Sequence, residues 1–286
     1  MSTQPAIPPS ALPYPIGTPG TPWGAAEKAA WLGRQRVQRS HAAEVLEPLK
    51  AGLASIAQAE LFQYGTLDYQ RLGLGAYALH AVRSRAWRPD RPTVLVTGGV
   101  HGYETINRWN PDALDPNRQF KPDSPAAEAA LAMACIAAIC SRASPSVDLH
   151  IDLHETTDTD NSEFGPAKAA RDGVTFERDD IPDGFYLVDD ADRPAPGFQR
   201  ALIDAVRRVT HIAEPDVQGR IIGAPLQQPG VISFGTRSRG LCGGVTDARL
   251  STTTEVYPDS PRTNPDECNE AQRVAVTAAI DYLLRA

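Results

Sequence analysis

The segment Thr93-Val94-Leu95-Val96-Thr97-Gly98-Gly99-Val100-His101-Gly102-Tyr103-Glu104 decides how this chain is read. A short continuous apolar run is the pattern of a parallel strand buried on both faces. The run breaks at two glycines and then presents an imidazole and a carboxylate. The carboxyl end of a strand is where open α/β sheets place their ligand sites, and the H-x-x-E spacing lets one turn direct His101 and Glu104 at a single ion. Zinc suits this donor set, because catalytic zinc sites commonly combine two histidines with a glutamate and leave the fourth position to water. A second histidine is therefore expected at another strand end.

Further along the chain, Val147-Asp148-Leu149-His150-Ile151-Asp152-Leu153-His154-Glu155-Thr156-Thr157 supplies it. His150 and His154 share one face of a strand by its period of two. Only His154 stands where the apolar pattern gives way to a loop, so His154 is the expected ligand. His150 is read as a core or supporting histidine within the sheet.

With these motifs in view, the chain resembles the zinc carboxypeptidases, the carboxypeptidase A-like peptidases together with the succinylglutamate desuccinylase and aspartoacylase branch. Two further segments carry the resemblance. Arg108-Trp109-Asn110-Pro111-Asp112-Ala113-Leu114-Asp115-Pro116-Asn117-Arg118 looks like the family's D-x-N-R motif preceded by an arginine. Ser251-Thr252-Thr253-Thr254-Glu255-Val256-Tyr257-Pro258 resembles the late strand that carries its catalytic glutamate. The four motifs occur in the family's order from residue 93 to 258.

The resemblance implies one zinc per chain held by His101, Glu104 and His154, with Glu255 as the base that takes a proton from water and passes it to the leaving amine. Arg108 is implied to stabilise the tetrahedral oxyanion, where fixed positive charge is most effective. Asn117 and Arg118 are implied to clamp a free carboxylate on the substrate, a group the guanidinium fork matches. Asp115 is implied to hold the second ring nitrogen of His101. The family tyrosine ahead of the catalytic glutamate has no counterpart between Ser233 and Gly244.

One spacing departs from the pattern. Family members place a helix and a further strand between the H-x-x-E turn and the D-x-N-R loop, whereas only ten residues separate Glu104 from Asp115 here. A parallel crossover needs about ten to twelve residues for its helix and loops alone. The chain thus reads as internally shortened after Thr105, with an apolar sheet edge left uncovered.

Across 286 residues, 42% hydrophobic and 22% charged content fits a soluble chain with one sizeable core. A net charge of −7 and a pI near 5.4, without any basic run, argue against nucleic acid or an anionic membrane as partner. Met1 to Tyr14 lacks the order of a secretory signal. Leu131 to Cys140 is too short to span a bilayer and reads as a buried helix. Four cysteines without C-x-x-C pairing fit reduced thiols in a cytoplasm.

Residues 1–24 read as a Pro/Gly-rich amino-terminal segment and 25–286 as one catalytic domain, an α/β fold with a mixed central sheet flanked by helices. Two helices are expected within Ala25 to Leu53 with Ser40 as a cap between them, and strands at Glu60–Leu67 and Gly75–Val82. An alanine-rich helix is expected from Asp123 to Arg142, helices at Ala201–His211 and Asn264–Leu284, and a loop region from Thr156 to Pro196 interrupted by a strand at Phe185–Val188. The expected activity is zinc-dependent hydrolysis of an amide bond beside a free carboxylate, in a peptide or an N-acyl amino acid. A metallocarboxypeptidase leads, an acyl-amino-acid deacylase is the alternative, and a zinc-binding relic is a third reading. Oligomeric state stays open.

Overall fold

The computed structural model describes residues 14–88, 90–101, 108–141, 147–178 and 180–285. Helix α1 (Ala25–Arg34) is followed by a π-helical turn at Ala42–Leu46 that runs into α2 (Glu47–Leu53). Ser40 sits between them: its hydroxyl accepts from the Ala43 N–H at 3.2 Å while Glu44 accepts from the Ser40 N–H at 2.8 Å. This reciprocal pairing satisfies donors that a helix start leaves open.

Strands β1 (Ala59–Asp68) and β2 (Ala76–Ser84) pair antiparallel. They form a two-stranded sheet of their own, apart from the central one. The rest of the chain contributes β3 (Val94–Gly98), α3 (Ala127–Cys140), β4 (Leu149–Glu155), α4 (Gly165–Asp172), β5 (Tyr186–Asp190), α5 (Pro196–Val206), β6 (Arg220–Ile221), β7 (Ala224–Pro225), β8 (Val231–Phe234), β9 (Leu250–Val256) and α6 (Pro265–Arg285). The central sheet runs β3-β4-β9-β5-β8. Its neighbours are parallel except β5 and β9, which are antiparallel, so the sheet is mixed, as expected.

Leu149, Ile151, Leu187, Phe198, Leu202 and Val231 form the centre of the main core, with α5 and α6 against the sheet. On α6 the residues Ala271, Ala275 and Ala279 recur every fourth position and are fully buried. That stripe of small side chains lies on one helix face and lets the helix approach the strands closely.

Three expectations are corrected. β3 is an edge strand rather than one buried on both faces: none of its five residues is fully buried and Val96 is 42% exposed. The short link after Glu104 leaves no room for a flanking strand, and β4 is the first strand of the sheet with a neighbour on both sides. Helix α3, read as buried, buries only Ala129 and Ile136, because it is apolar all round and only part of its surface meets another element. The Thr156–Pro196 stretch, read as loops around one strand, also contains a π-turn at Asp160–Phe164 and helix α4.

The amino-terminal segment is not set apart from the domain. Ile16 and Trp23 join Trp31, Trp109, Ala113 and Ala167 in a second apolar cluster. Trp109 is its centre, with ring centroids 6.1 Å from Trp23, 5.4 Å from Trp31 and 5.7 Å from Phe164. The Arg171 guanidinium lies 4.3 Å above the same ring. Offset and edge-to-face aromatic contacts of this kind add stabilisation beyond the area they bury. The loop that begins at Arg108 is thereby fastened to α1 and α4. All four cysteines are free thiols. Among the described residues no helix is long and apolar enough to cross a membrane.

Candidate active site

Strand β3 ends at Gly98, and Gly99 takes a left-handed φ of +67°, a conformation that glycine adopts without a Cβ penalty. The chain thereby turns to His101. His101 Nδ1 lies 3.2 Å from Asp115 Oδ1, an ion-pair distance without hydrogen-bond alignment. Asp115 also accepts from the Asn117 N–H at 3.0 Å. The shortened loop therefore still reaches the histidine turn. Burial pushes the His101 imidazole down to about 4, outweighing the pull of Asp115, so the ring is neutral near pH 7.

On β4 the side chains of His150, Asp152 and His154 share one face by strand alternation, and all three are buried. His154 Nε2 is 2.7 Å from Asp152 Oδ2, and Asp152 Oδ1 accepts from the Thr97 hydroxyl at 2.7 Å. A carboxylate held in this way fixes both the tautomer and the direction of the imidazole. Burial opposes charge on His154, but Asp152 and Glu255 outweigh it and raise its pKa. His150 is different: it is wholly buried, with Nε2 3.0 Å from Thr97 Oγ1 and Nδ1 3.3 Å from Thr246 Oγ1. Both its nitrogens are engaged in the protein interior.

Parallel pairing of β4 with β9 sets His154 beside Glu255, and antiparallel pairing with β5 sets Tyr186 on the other side of Glu255. Glu255 Oε2 accepts from Thr156 Oγ1 at 3.1 Å. Burial raises the Glu255 carboxyl above the ordinary range, against the opposing pull of His154 and Arg108. Arg108 Nη2 is 2.7 Å from the Asp160 carboxylate and donates to the Glu155 carbonyl at 3.1 Å. Asp160 is itself pushed up to about 6, by burial first and by Glu255 in addition.

The expected clamp splits into two environments. Asn117 is buried and its Oδ1 accepts from the Cys242 N–H at 2.8 Å, so that end of the amide holds the neighbouring loop. Arg118 is half exposed; its Nη1 donates to the Asn117 carbonyl at 2.7 Å and lies 3.9 Å from Asp115.

Thus His101, Asp115, Arg108, His154 and Glu255 gather at the carboxyl ends of β3, β4 and β9. Glu104 lies outside the described residues. Sequence reading missed Asp152, Asp160, Thr156 and Tyr186. The D-x-H alternation at 152 and 154 carried a signal for Asp152, since i and i+2 on a strand share a face. Nothing local marked Asp160 as the partner of Arg108.

The ring spacing of His101 and His154 is the spacing that a shared ion would require. An ion about 2.1 Å from one nitrogen of each ring lies about 3.2 Å from each centroid, and a tetrahedral angle then sets the centroids about 5.2 Å apart. The observed separation is 5.2 Å. With Asp115 at Nδ1 of His101 and Asp152 at Nε2 of His154, the opposite nitrogen of each ring remains for the ion. Among the described residues no group of three or more His, Cys, Asp or Glu side chains is placed to hold a metal, which leaves the third ligand to come from elsewhere.

No protein-family profile and no curated protein sequence matches this chain. Solved structures do. A provisionally assigned metallopeptidase from Shewanella denitrificans OS217 aligns with a TM-score of 0.56 at 17% identity, covering 84% of this chain and 90% of that one. A provisionally assigned carboxypeptidase A from the same strain aligns with a TM-score of 0.50 at 13% identity, covering 84% of this chain and 69% of that one. At such identities the likeness is one of fold, and the fold of this chain is the mixed α/β fold of the metallocarboxypeptidase-like structures.

Proposed function

We propose that this protein is a zinc-dependent hydrolase of an amide bond adjacent to a free carboxylate, acting as a metallocarboxypeptidase or, as the alternative, an N-acyl-amino-acid deacylase. The observation that carries the reading is the gathering of two paired histidines and a half-buried glutamate at three neighbouring strand ends. His101 and His154, with Glu104, would hold the zinc. When bound, the ion supplies Lewis acidity, acidifying a water and polarising the substrate carbonyl.

The chain's own groups supply the rest. Asp115 and Asp152 aim the two imidazoles. Glu255, with its pKa raised by burial, is suited to take the proton of the attacking water and return it to the leaving amine, and the Thr156 hydroxyl fixes the carboxylate's orientation. Arg108 offers positive charge where the oxyanion develops, moderated by Asp160. Arg118, with the amide of Asn117, offers donors to the substrate carboxylate.

The Arg108–Asp160 pair also favours a second reading, a zinc-binding protein without hydrolytic activity, because Asp160 already answers the Arg108 charge that an oxyanion would need. Metal analysis combined with assays on carboxyl-terminal peptides and N-acyl amino acids separates the two. Hydrolysis of the free acids, with loss of turnover on amidating the terminal carboxyl, is the expected result. Equal hydrolysis of acid and amide overturns the carboxylate clamp, and stoichiometric zinc without turnover on any member of the panel leaves the non-catalytic reading.

A further inference from the structure

A cavity of about 260 Å³ opens beside Asp115, and His101, Arg108, His154 and Glu255 are not among the residues that line it. Its walls carry Lys28 from α1, Arg118 from the loop, Lys168 and Arg171 from α4, and two carboxylates, Asp115 and Asp172. Both carboxylates are already engaged. Asp115 faces His101 and the Asn117 N–H, and Asp172 is gripped by Arg171 at 2.7 and 3.1 Å. Lys28 and Lys168 have no carboxylate within 4.0 Å among the described residues. In a chain of net charge −7, two uncompensated ammonium groups and a half-exposed guanidinium thus converge on one concave surface.

Like charges brought together repel unless something answers them. Here the scaffold enforces their approach, since α1 and the loop meet through Trp31 and Trp109 while α4 joins them through Ala167 and the Arg171 guanidinium over Trp109. The backbone segments that carry the walls are therefore held together before any ligand arrives, and such pre-organisation reduces the entropic cost of binding. The size is small for a drug-sized molecule, whose pockets start at about 300 Å³, and adequate for a compact anion.

The geometry points to a binding site for a small multivalent oxyanion, a phosphate-bearing or polycarboxylate group, held by Lys28, Lys168 and Arg118. It shares Arg118 with the proposed carboxylate clamp but needs neither the metal nor hydrolysis, and substitutions at Lys28 and Lys168 test it apart from that clamp. Three cationic donors from three directions match a group that spreads two or more charges over several oxygens, whereas a monovalent carboxylate would leave part of the charge unanswered.

The test is isothermal titration of the full chain at low ionic strength, both as purified and after metal removal, with inorganic phosphate, tricarballylate, and acetate as the monovalent control. The comparison is with Lys28→Gln/Lys168→Gln, which keeps most of each aliphatic stem, and with Lys50→Gln/Arg207→Gln, which removes two cations elsewhere. Saturable one-to-one binding of phosphate or tricarballylate is expected, weakened about tenfold or more in the first double variant and unchanged in the second. The tighter of the two probes identifies the ligand's chemistry. Lys168→Gln alone, at an exposed position, serves if the double variant is unstable. No saturable heat, equal affinity for acetate, or equal binding by the Lys28/Lys168 variants overturns the assignment.

Discussion

Replacing His150 by alanine should cost stability without costing metal. The ring has no solvent exposure and makes contacts at 3.0 Å to Thr97 and 3.3 Å to Thr246. Net worth per buried hydrogen bond is about 0.5–1.5 kcal/mol, and a large-to-small truncation in a core costs about 2–5 kcal/mol, depending on how far the site collapses. Neither threonine is orphaned, since Thr97 still donates to Asp152 and Thr246 still accepts from the Ala248 N–H. The loss should therefore sit near the middle of that range, about 3–4 kcal/mol at pH 8. For a chain of this size that lowers Tm by roughly 6–16 °C.

The pH dependence has a definite sign. Burial pushes the folded-state pKa of His150 down to about 4, below the unfolded value of about 6.5. The unfolded chain thus binds the extra proton as pH falls between these values, and wild type loses stability there while the alanine variant does not. The gap between them should shrink by about 2 kcal/mol from pH 8 to pH 5. Urea unfolding at several pH values measures the gap, and elemental analysis of both His150→Ala and His154→Ala measures the metal. A His150→Ala protein that loses zinc at undiminished stability, or a His154→Ala protein that keeps it stoichiometrically, refutes the division of roles.

Glu255→Gln should retain zinc and fold while turnover falls about 10²- to 10⁴-fold; near wild-type turnover removes Glu255 from the proton path. Asp160 has its pKa raised to about 6 by burial, so it favours folding as pH drops below 6, and Asp160→Asn should erase about 2 kcal/mol of stability gained between pH 7 and pH 4. Parallel pH profiles for the two proteins in urea unfolding would contradict this. At Gly244 an added Cβ would lie 2.4 Å from Arg237 N and 2.7 Å from Arg237 Cα, backbone atoms that cannot swing aside. Gly244→Ala should therefore cost about 2 kcal/mol or more, and an unchanged urea midpoint would show that the two turns can part freely.

What could be read from the sequence was whatever one strand and its end encode locally. The apolar runs ahead of His101 and Glu255, and the alternation through His154, identify β3, β9 and β4 with the loops that follow them, because the side-chain period of a strand is visible in a few residues. The same reasoning could not tell that β3 is an edge, since edge and centre differ in neighbours and not in pattern. It located β1 and β2 but not their separation from the central sheet. β8 lay hidden among glycines and prolines. Asp160 was illegible because its meaning comes from Arg108, 52 residues away. The tryptophan cluster was missed for a related reason: Trp23, Trp31 and Trp109 have no spacing in common, and their contact exists only once the loop is folded back on the amino terminus.

The pairing of β4 with β9 has a consequence in time. Thr156 and Glu255, which meet across those strands, are 99 residues apart in the chain, and such non-local pairings are slow to form because loop closure must precede the contacts that reward it. During synthesis, His101, Asp115, His154 and Arg108 all leave the ribosome well before Glu255. The nascent protein can thus collect both imidazoles before Glu255 is in place, and under the proposed function the site is completed only when the final strand slots in between β4 and β5.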